Sequence, residues 1–135
     1  MTIQEKLKDL KELFSMFEDR KDQFIQLMDM AKESGVLSDS EKIDKNKIYG
    51  CTSQAWVVSN KNDNQTYTFR TDSDAMIVKG LLTLLENIFN DQKATDICSY
   101  DSQLILKEIG LDGTITSQRT NGFSNAVEKI KKIIE

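Results

Sequence analysis

Over the first third of the chain the apolar residues recur at helical spacing. Leu7, Leu10, Leu13, Phe14, Met16 and Phe17 form one stripe, and after the polar EDRKD segment Phe24, Ile25, Leu27, Met28 and Ala31 resume it. The pattern predicts two helices joined tightly near residues 18–20 and stopping at Ser34–Gly35, where glycine is a favourable helix end. A polar connection, SDSEKIDKNK, follows. The rhythm then changes to AWVVS, NKNDN and QTYTFRT, with Tyr67 and Phe69 alternating with Thr68 and Arg70, which predicts a β-hairpin around an Asn/Asp-rich loop that lacks glycine.

TDSDAMIVKGLLTLLENIFNDQ offers Asp72, Ser73 and Asp74 as caps for a helix that is apolar on most sides. Its polar positions Lys79, Thr83, Glu86 and Asn90 make a single narrow stripe, so the helix is expected to be largely buried. Gly80 inside it costs about 1 kcal/mol relative to Ala, which makes sense if another backbone passes close by. Residues 94–109 predict one or two short helices with Ile97, Leu104, Ile105 and Ile109 inward. After LDGTITSQRTNG, the residues Phe123, Ala126, Val127, Ile130, Ile133 and Ile134 trace one face of a last helix, with Thr116 or Ser117 as its cap. Helices outnumber strands and the strands are neighbours in sequence. The expected class is therefore α+β, a small antiparallel β-sheet packed against several α-helices. At 135 residues the chain is expected to be a single domain, residues 1–135, large enough to bury a core without disulfides.

Composition narrows the function. Apolar residues at 39% and charged residues at 30% place the chain among folding sequences rather than disordered ones. The net charge of −4 repels phosphate backbones, and no basic stripe interleaves with aromatics, so no nucleic-acid partner is expected. The most apolar stretch, AMIVKGLLTLLENIF, falls short of the roughly 20 residues a membrane span needs and carries Lys79 and Glu86. The start, MTIQEKLKDLKELF, has no apolar signal core. A cytoplasmic protein with no membrane partner is the expectation.

Histidine is absent, which removes the commonest general base and metal ligand. The two cysteines, Cys51 and Cys98, form neither a metal-binding spacing nor a CxxC pair, and a reducing cytosol disfavours a disulfide between them. Cys98, in TDICSY, reads as a small apolar core residue. Asp72 and Asp74 read as helix caps rather than as paired catalytic carboxylates, and Trp56 as core. Cys51, in KIYGCTSQAWVV, stands at the lip of an apolar run directly after a glycine. That position suits an ordinary structural cysteine, and it equally suits a loop tip where another molecule can reach the thiol. Without histidine the chain cannot build a Cys-His hydrolase pair, so a working thiol here must meet a bond that is already activated, such as sulfur–sulfur.

GCTSQAW at residues 50–56, DSDAMIVKG at 72–80 and TSQRTNG at 116–122 resemble, in order and spacing, the three signature stretches of the SufE family, sulfur-acceptor proteins of iron–sulfur cluster assembly. The resemblance runs from about Phe17 to Ile130. Two departures stand out: the family often carries proline after the threonine of the last motif and before the cysteine motif, whereas this chain has Ser117 and no proline at all. The resemblance implies a SufE/IscU-like α+β fold without the scaffold's metal-binding cysteines. Two cysteines and no histidine could not hold a cluster in the usual four-ligand way.

By the same resemblance, Cys51 takes persulfide sulfur from a pyridoxal-phosphate-dependent cysteine desulfurase (SufS- or CsdA-like) and stimulates it. The sulfur then passes to an Fe-S scaffold complex (SufBCD-like). No cofactor or metal is expected on this chain, since pyridoxal phosphate belongs to the partner. An alternative is a regulatory module that docks on a desulfurase and activates it without carrying sulfur.

Among the supporting residues, Gly50 permits a tight turn, Thr52 and Ser53 crowd the thiol little, and Gln54 leads into the anchoring strand. Gln54 and Trp56 are expected to hold the motif together as polar group and core anchor, and Gly80 and Gly122 to allow close packing. The resemblance places Asp74 at the start of the buried helix beside the cysteine loop. It places Arg119 near the same surface, where the guanidinium supports docking or a sulfur anion, or else simply steadies a loop at a helix start. Whether Cys51 points inward or outward stays open at this level.

Overall fold

The computed structural model describes residues 1–51 and 53–135; the expectation for Thr52 lies outside the described residues. Helix α1 (Ile3–Ser15) begins in a reciprocal cap, in which the Thr2 hydroxyl accepts from the Glu5 N–H while the Glu5 carboxylate accepts from the Thr2 N–H. It buries Ile3, Leu7, Leu10 and Phe14, the i, i+4, i+7 face read from the sequence. Helix α2 (Arg20–Glu33) is capped by Asp19 and buries Leu27 and Ala31. Met16 and Ile25, both counted in the stripes, are exposed. The chain leaves α2 at Ser34 in an extended conformation, so the helix stops where the sequence expects it, with Ser34 as the cap and Gly35 outside the left-handed region.

Two short 3-10 turns, Asp39–Glu41 and Asp44–Asn46, carry the polar connection to the sheet. Strands β1 (Ala55–Lys61) and β2 (Thr66–Ser73) pair antiparallel, from Ala55 opposite Ser73 to Lys61 opposite Tyr67. The turn between them manages without glycine because Gln65 itself takes the left-handed conformation, φ 68°, with Asn64 Oδ1 accepting from the Thr66 N–H. A third strand, β3 (Gln92–Lys93), adds to the outer side of β2. Its two residues are too few to carry a readable alternation, so periodicity does not announce it.

Helix α3 (Met76–Phe89) is the core element, buried along most of its length and packed on both α2 and β2. An ideal Cβ at Gly80 would collide with the backbone carbonyl of Leu27, the close backbone passage expected of that glycine. The polar stripe is more enclosed than expected. Lys79 is only 4% exposed, and its ammonium reaches Thr71 Oγ1 at 3.2 Å and Glu86 Oε2 at 3.5 Å. Short helices α4 (Ala94–Cys98) and α5 (Ile105–Ile109) precede α6 (Ser117–Ile134), whose Thr116 cap accepts from the Arg119 N–H. Leu104, 50% exposed, and Ile133, 40% exposed, lie outside the core that the periodicity assigned them.

The capping cluster proves to have another use. Asp72 and Ser73 belong to β2, the cap position of α3 is Ala75, and α3 has no side-chain cap. Asp72 instead accepts from the Leu37 N–H at 3.1 Å and pairs with Lys42 at 3.2 Å, tying the connection to the sheet.

Candidate functional site

The segment that holds Cys51 is a short loop closed at its neck. The Ile48 N–H donates to the Ala55 carbonyl at 2.8 Å, and Lys47 bridges Trp56, so residues 49–51 and 53–54 bulge from the end of β1. Closing so short a loop leaves few conformations to it, and the tip is held from several sides. Gly50 has φ +85°, which side-chain-bearing residues rarely adopt, and a Cβ there would run into the Asn125 side chain on α6.

On the far side of the loop, Gln54 is gripped by its backbone. Its N–H donates to Asp74 Oδ1 at 3.1 Å, while its carbonyl accepts from the Ser73 hydroxyl at 2.7 Å and the Asp74 N–H at 3.2 Å. Ser73 and Asp74 thus fasten the cysteine loop rather than start a helix. The Gln54 side chain is exposed, so the residue contributes through its main chain and not through the amide foreseen for it. Trp56 is buried, with the Lys42 ammonium 5.5 Å from its ring centroid, and anchors the strand that carries the loop.

Cys51 itself is half-buried. Its thiol points at α6, with Sγ 3.7 Å from the Gly122 carbonyl, and a Cβ on Gly122 would sit 3.1 Å from that sulfur. Around it Val78, Leu81, Leu82 and Phe123 form an apolar wall, with Gln118 and Arg119 completing the lining. The cavity they enclose is about 20 Å³, room for one water-sized group. Burial pushes the Cys51 thiol up from its ordinary pKa, because thiolate charge is poorly solvated there. The orientation left open by the sequence is therefore inward.

Arg119 lines the same cavity, so two of the motif residues meet at the thiol while Asp74 acts one step away through Gln54. Among the described residues the Arg119 guanidinium has no carboxylate within ion-pair distance. Cys98 is exposed at the end of α4, where Ile97 takes the core position instead, and both cysteines are free. Among the described residues no three His, Cys, Asp or Glu side chains gather as a metal site would need, and no helix is long and apolar enough to cross a membrane. Gln118 and Asn125 carry no motif that singles them out in the sequence. Both could have been found by stepping three to four residues from Gly122 along α6, since positions 118, 119, 122 and 125 share one helical face.

Fold and site together define a small α+β protein that presents one inward-turned thiol at a braced loop tip, against an apolar wall with one cation in it. Comparison with known proteins agrees. The SufE family, described as an Fe-S metabolism associated domain, matches residues 8–134. A SufE-like protein of Rhizobium etli is 30% identical over 122 residues, covering 88% of this chain and 82% of the relative. Another, of Rhizobium meliloti, is 30% identical over 125 residues, covering 90% and 89%. The solution structure of a hypothetical protein from Thermus thermophilus superimposes with a TM-score of 0.77 at 16% identity, over 96% of this chain and 93% of that one, a likeness of fold. The chain belongs to the SufE family, and its place is in Fe-S metabolism.

Proposed function

We propose that the protein is a sulfur acceptor, taking persulfide sulfur onto Cys51 from a cysteine desulfurase and passing it to an Fe-S scaffold. The observation that carries this reading is the setting of Cys51: a free thiol in a cavity of one-atom scale, flanked by Arg119, at the tip of a loop braced on both sides. Cys51 thiolate attacks the terminal sulfur of the donor's persulfide, the donor's cysteine thiolate leaves, and Cys51 ends as the persulfide. Two electrons shift between sulfurs and no external oxidant or reductant is consumed. The donor's pyridoxal phosphate supplies the earlier chemistry. This chain supplies the accepting sulfur, its orientation and its shelter from stray thiols. SufS- or CsdA-like enzymes are the donor class in view, and a SufBCD-like complex the recipient.

Intact-mass spectrometry after incubation with a desulfurase and cysteine tests this. A reducible gain of one sulfur mass, lost in Cys51→Ser and retained in Cys98→Ala, is the expected result. No gain, with desulfurase turnover still rising, would leave a docking activator and refute the carrier role.

A further inference from the structure

Beside the cysteine loop runs a second, open groove that the sulfur chemistry does not use. It is lined by Lys47, Tyr49, Gly50, Asn125, Glu128, Lys129 and Lys132. Three lysines and one glutamate make this strip positive in a chain whose net charge is −4. The glutamate is drawn away, since Glu128 pairs with Lys131 at 3.8 Å. Among the described residues Lys47, Lys129 and Lys132 have no carboxylate within ion-pair distance. Tyr49 is 63% exposed, with the Lys47 ammonium 5.7 Å from its ring centroid. An exposed aromatic with one lysine over its ring and two more in the same groove, of which Lys129 donates to the Lys45 carbonyl at 3.1 Å and neither meets a carboxylate, has the make-up of an interface centre with a charged rim.

Gly50 belongs both to this groove and to the cysteine loop, so the groove is continuous with the surface a sulfur donor must approach to reach Cys51. We infer that the groove docks an Asp/Glu-bearing surface segment of the sulfur-donating desulfurase, beside that enzyme's persulfide cysteine. The inference rests on the carrier reading for the identity of the donor, and adds where and by what chemistry the donor is held. Tyr49 supplies the desolvated contact. Lys47, Lys129 and Lys132 set the approach and orientation, which makes the encounter sensitive to ionic strength.

The test compares Lys129→Glu/Lys132→Glu with a control of equal charge change, Lys8→Glu/Lys11→Glu, on α1 beside a different groove. Each full-length protein is titrated with a purified cysteine desulfurase, and both affinity and sulfur loading of Cys51 are measured. The groove variant should need about tenfold more desulfurase for half-saturation, with the same final loading, while the α1 variant stays within about twofold. Salt at about 0.5 M should close most of that gap. Equal behaviour of the two variants overturns the inference, as does wild-type protein that fails to bind the desulfurase at all. Binding without sulfur loading in the wild type refutes the carrier reading alone, and the groove is then judged on affinity. A groove variant that loses only affinity for duplex DNA marks a phosphate-binding surface and also overturns it.

Discussion

Gly122→Ala separates a spacing role at the thiol from an ordinary role in the helix. Gly122 lies within α6, where alanine is favoured over glycine by about 1 kcal/mol. Against that gain stands one tight contact: the new Cβ would lie 3.1 Å from Cys51 Sγ, with Cys51 Cα at 3.7 Å and Cβ at 3.8 Å. Only the sulfur has to yield, by a few tenths of an ångström, and it sits at a loop tip on a single rotatable bond. The relief should cost less than the helix gains, so the melting temperature should hold or rise by up to about 4 °C. The sulfur is pushed back from α6 by those few tenths of an ångström and loses part of its burial, so its raised pKa should move down toward the ordinary value.

The assay is iodoacetamide alkylation across pH in a Cys98→Ala background, because exposed Cys98 would otherwise react as well. The inflection should shift downward and the rate at neutral pH should rise. Gly80→Ala offers the same propensity gain, yet its Cβ meets the Leu27 backbone carbonyl between two packed helices, which cannot yield separately. It should cost about 2 kcal/mol net. If Gly122→Ala destabilised as much as Gly80→Ala, or left the alkylation profile of Cys51 unmoved, the account of the thiol's setting would be wrong.

Asp74→Ala removes the acceptor for the Gln54 N–H and should cost about 1 kcal/mol of loop bracing, seen as roughly fivefold faster Cys51 alkylation; an unchanged rate would refute the brace. Because burial raises the Cys51 pKa in the folded state, its stabilisation is fully present below the unfolded cysteine's pKa near 8.5 and is lost as pH rises through the folded value. Wild-type melting temperature should therefore fall more steeply than that of Cys51→Ser between about pH 8 and 10, and parallel curves would contradict the raised pKa. Glu86→Ala leaves the buried Lys79 ammonium bonded to Thr71 but without its counter-charge and should cost about 3 kcal/mol, whereas Lys79→Met leaves Glu86 with the Thr71 and Ser34 hydroxyls and should cost less than half of that in chemical denaturation. Arg119→Ala leaves the Thr116 cap intact because that bond uses the backbone N–H, so it should fold normally yet hold less sulfur on Cys51; normal loading would discard the role of the guanidinium.

The helices and the hairpin were legible because each carries its burial in a local period. Leu7, Leu10 and Phe14, or Phe123, Ala126 and Ile130, declare a face within a few residues. What stayed hidden depends on pairs distant in sequence. Asp72, Ser73 and Asp74 have the composition of a helix cap, and only the β1–β2 register turns them toward Leu37 and Gln54. The residue type of Cys98 suits a core position, yet its neighbour Ile97 takes that place and Cys98 is exposed. The basic groove joins Lys47 to Lys129 and Lys132 across some eighty positions, so a search for a basic run along the chain passes over it. Cys51 and its motif were visible from residues 50–56 alone. The wall that desolvates the thiol comes from α3 and α6 and was not.

That wall bears on why a proposed carrier would hide its thiol. Exchange rate depends on the thiolate fraction, and each unit by which the pKa is raised removes about tenfold of it at neutral pH. A Cys51 facing Val78, Leu81, Leu82 and Phe123 is therefore slow toward stray disulfides and electrophiles while the protein is free. The restraint must be lifted when the donor arrives. The loop is braced at Gln54 and at the Ile48–Ala55 neck, whereas among the described residues the Cys51 side chain makes one hydrogen bond, the long 3.7 Å contact to the Gly122 carbonyl. The sulfur can leave its wall without undoing the braces. Once charged, it finds no compensation among the apolar lining, and Arg119 is the one cationic residue among the described residues of that lining. On this reading the same small cavity keeps the thiol neutral before transfer and has a cationic residue in its lining for the persulfide afterwards.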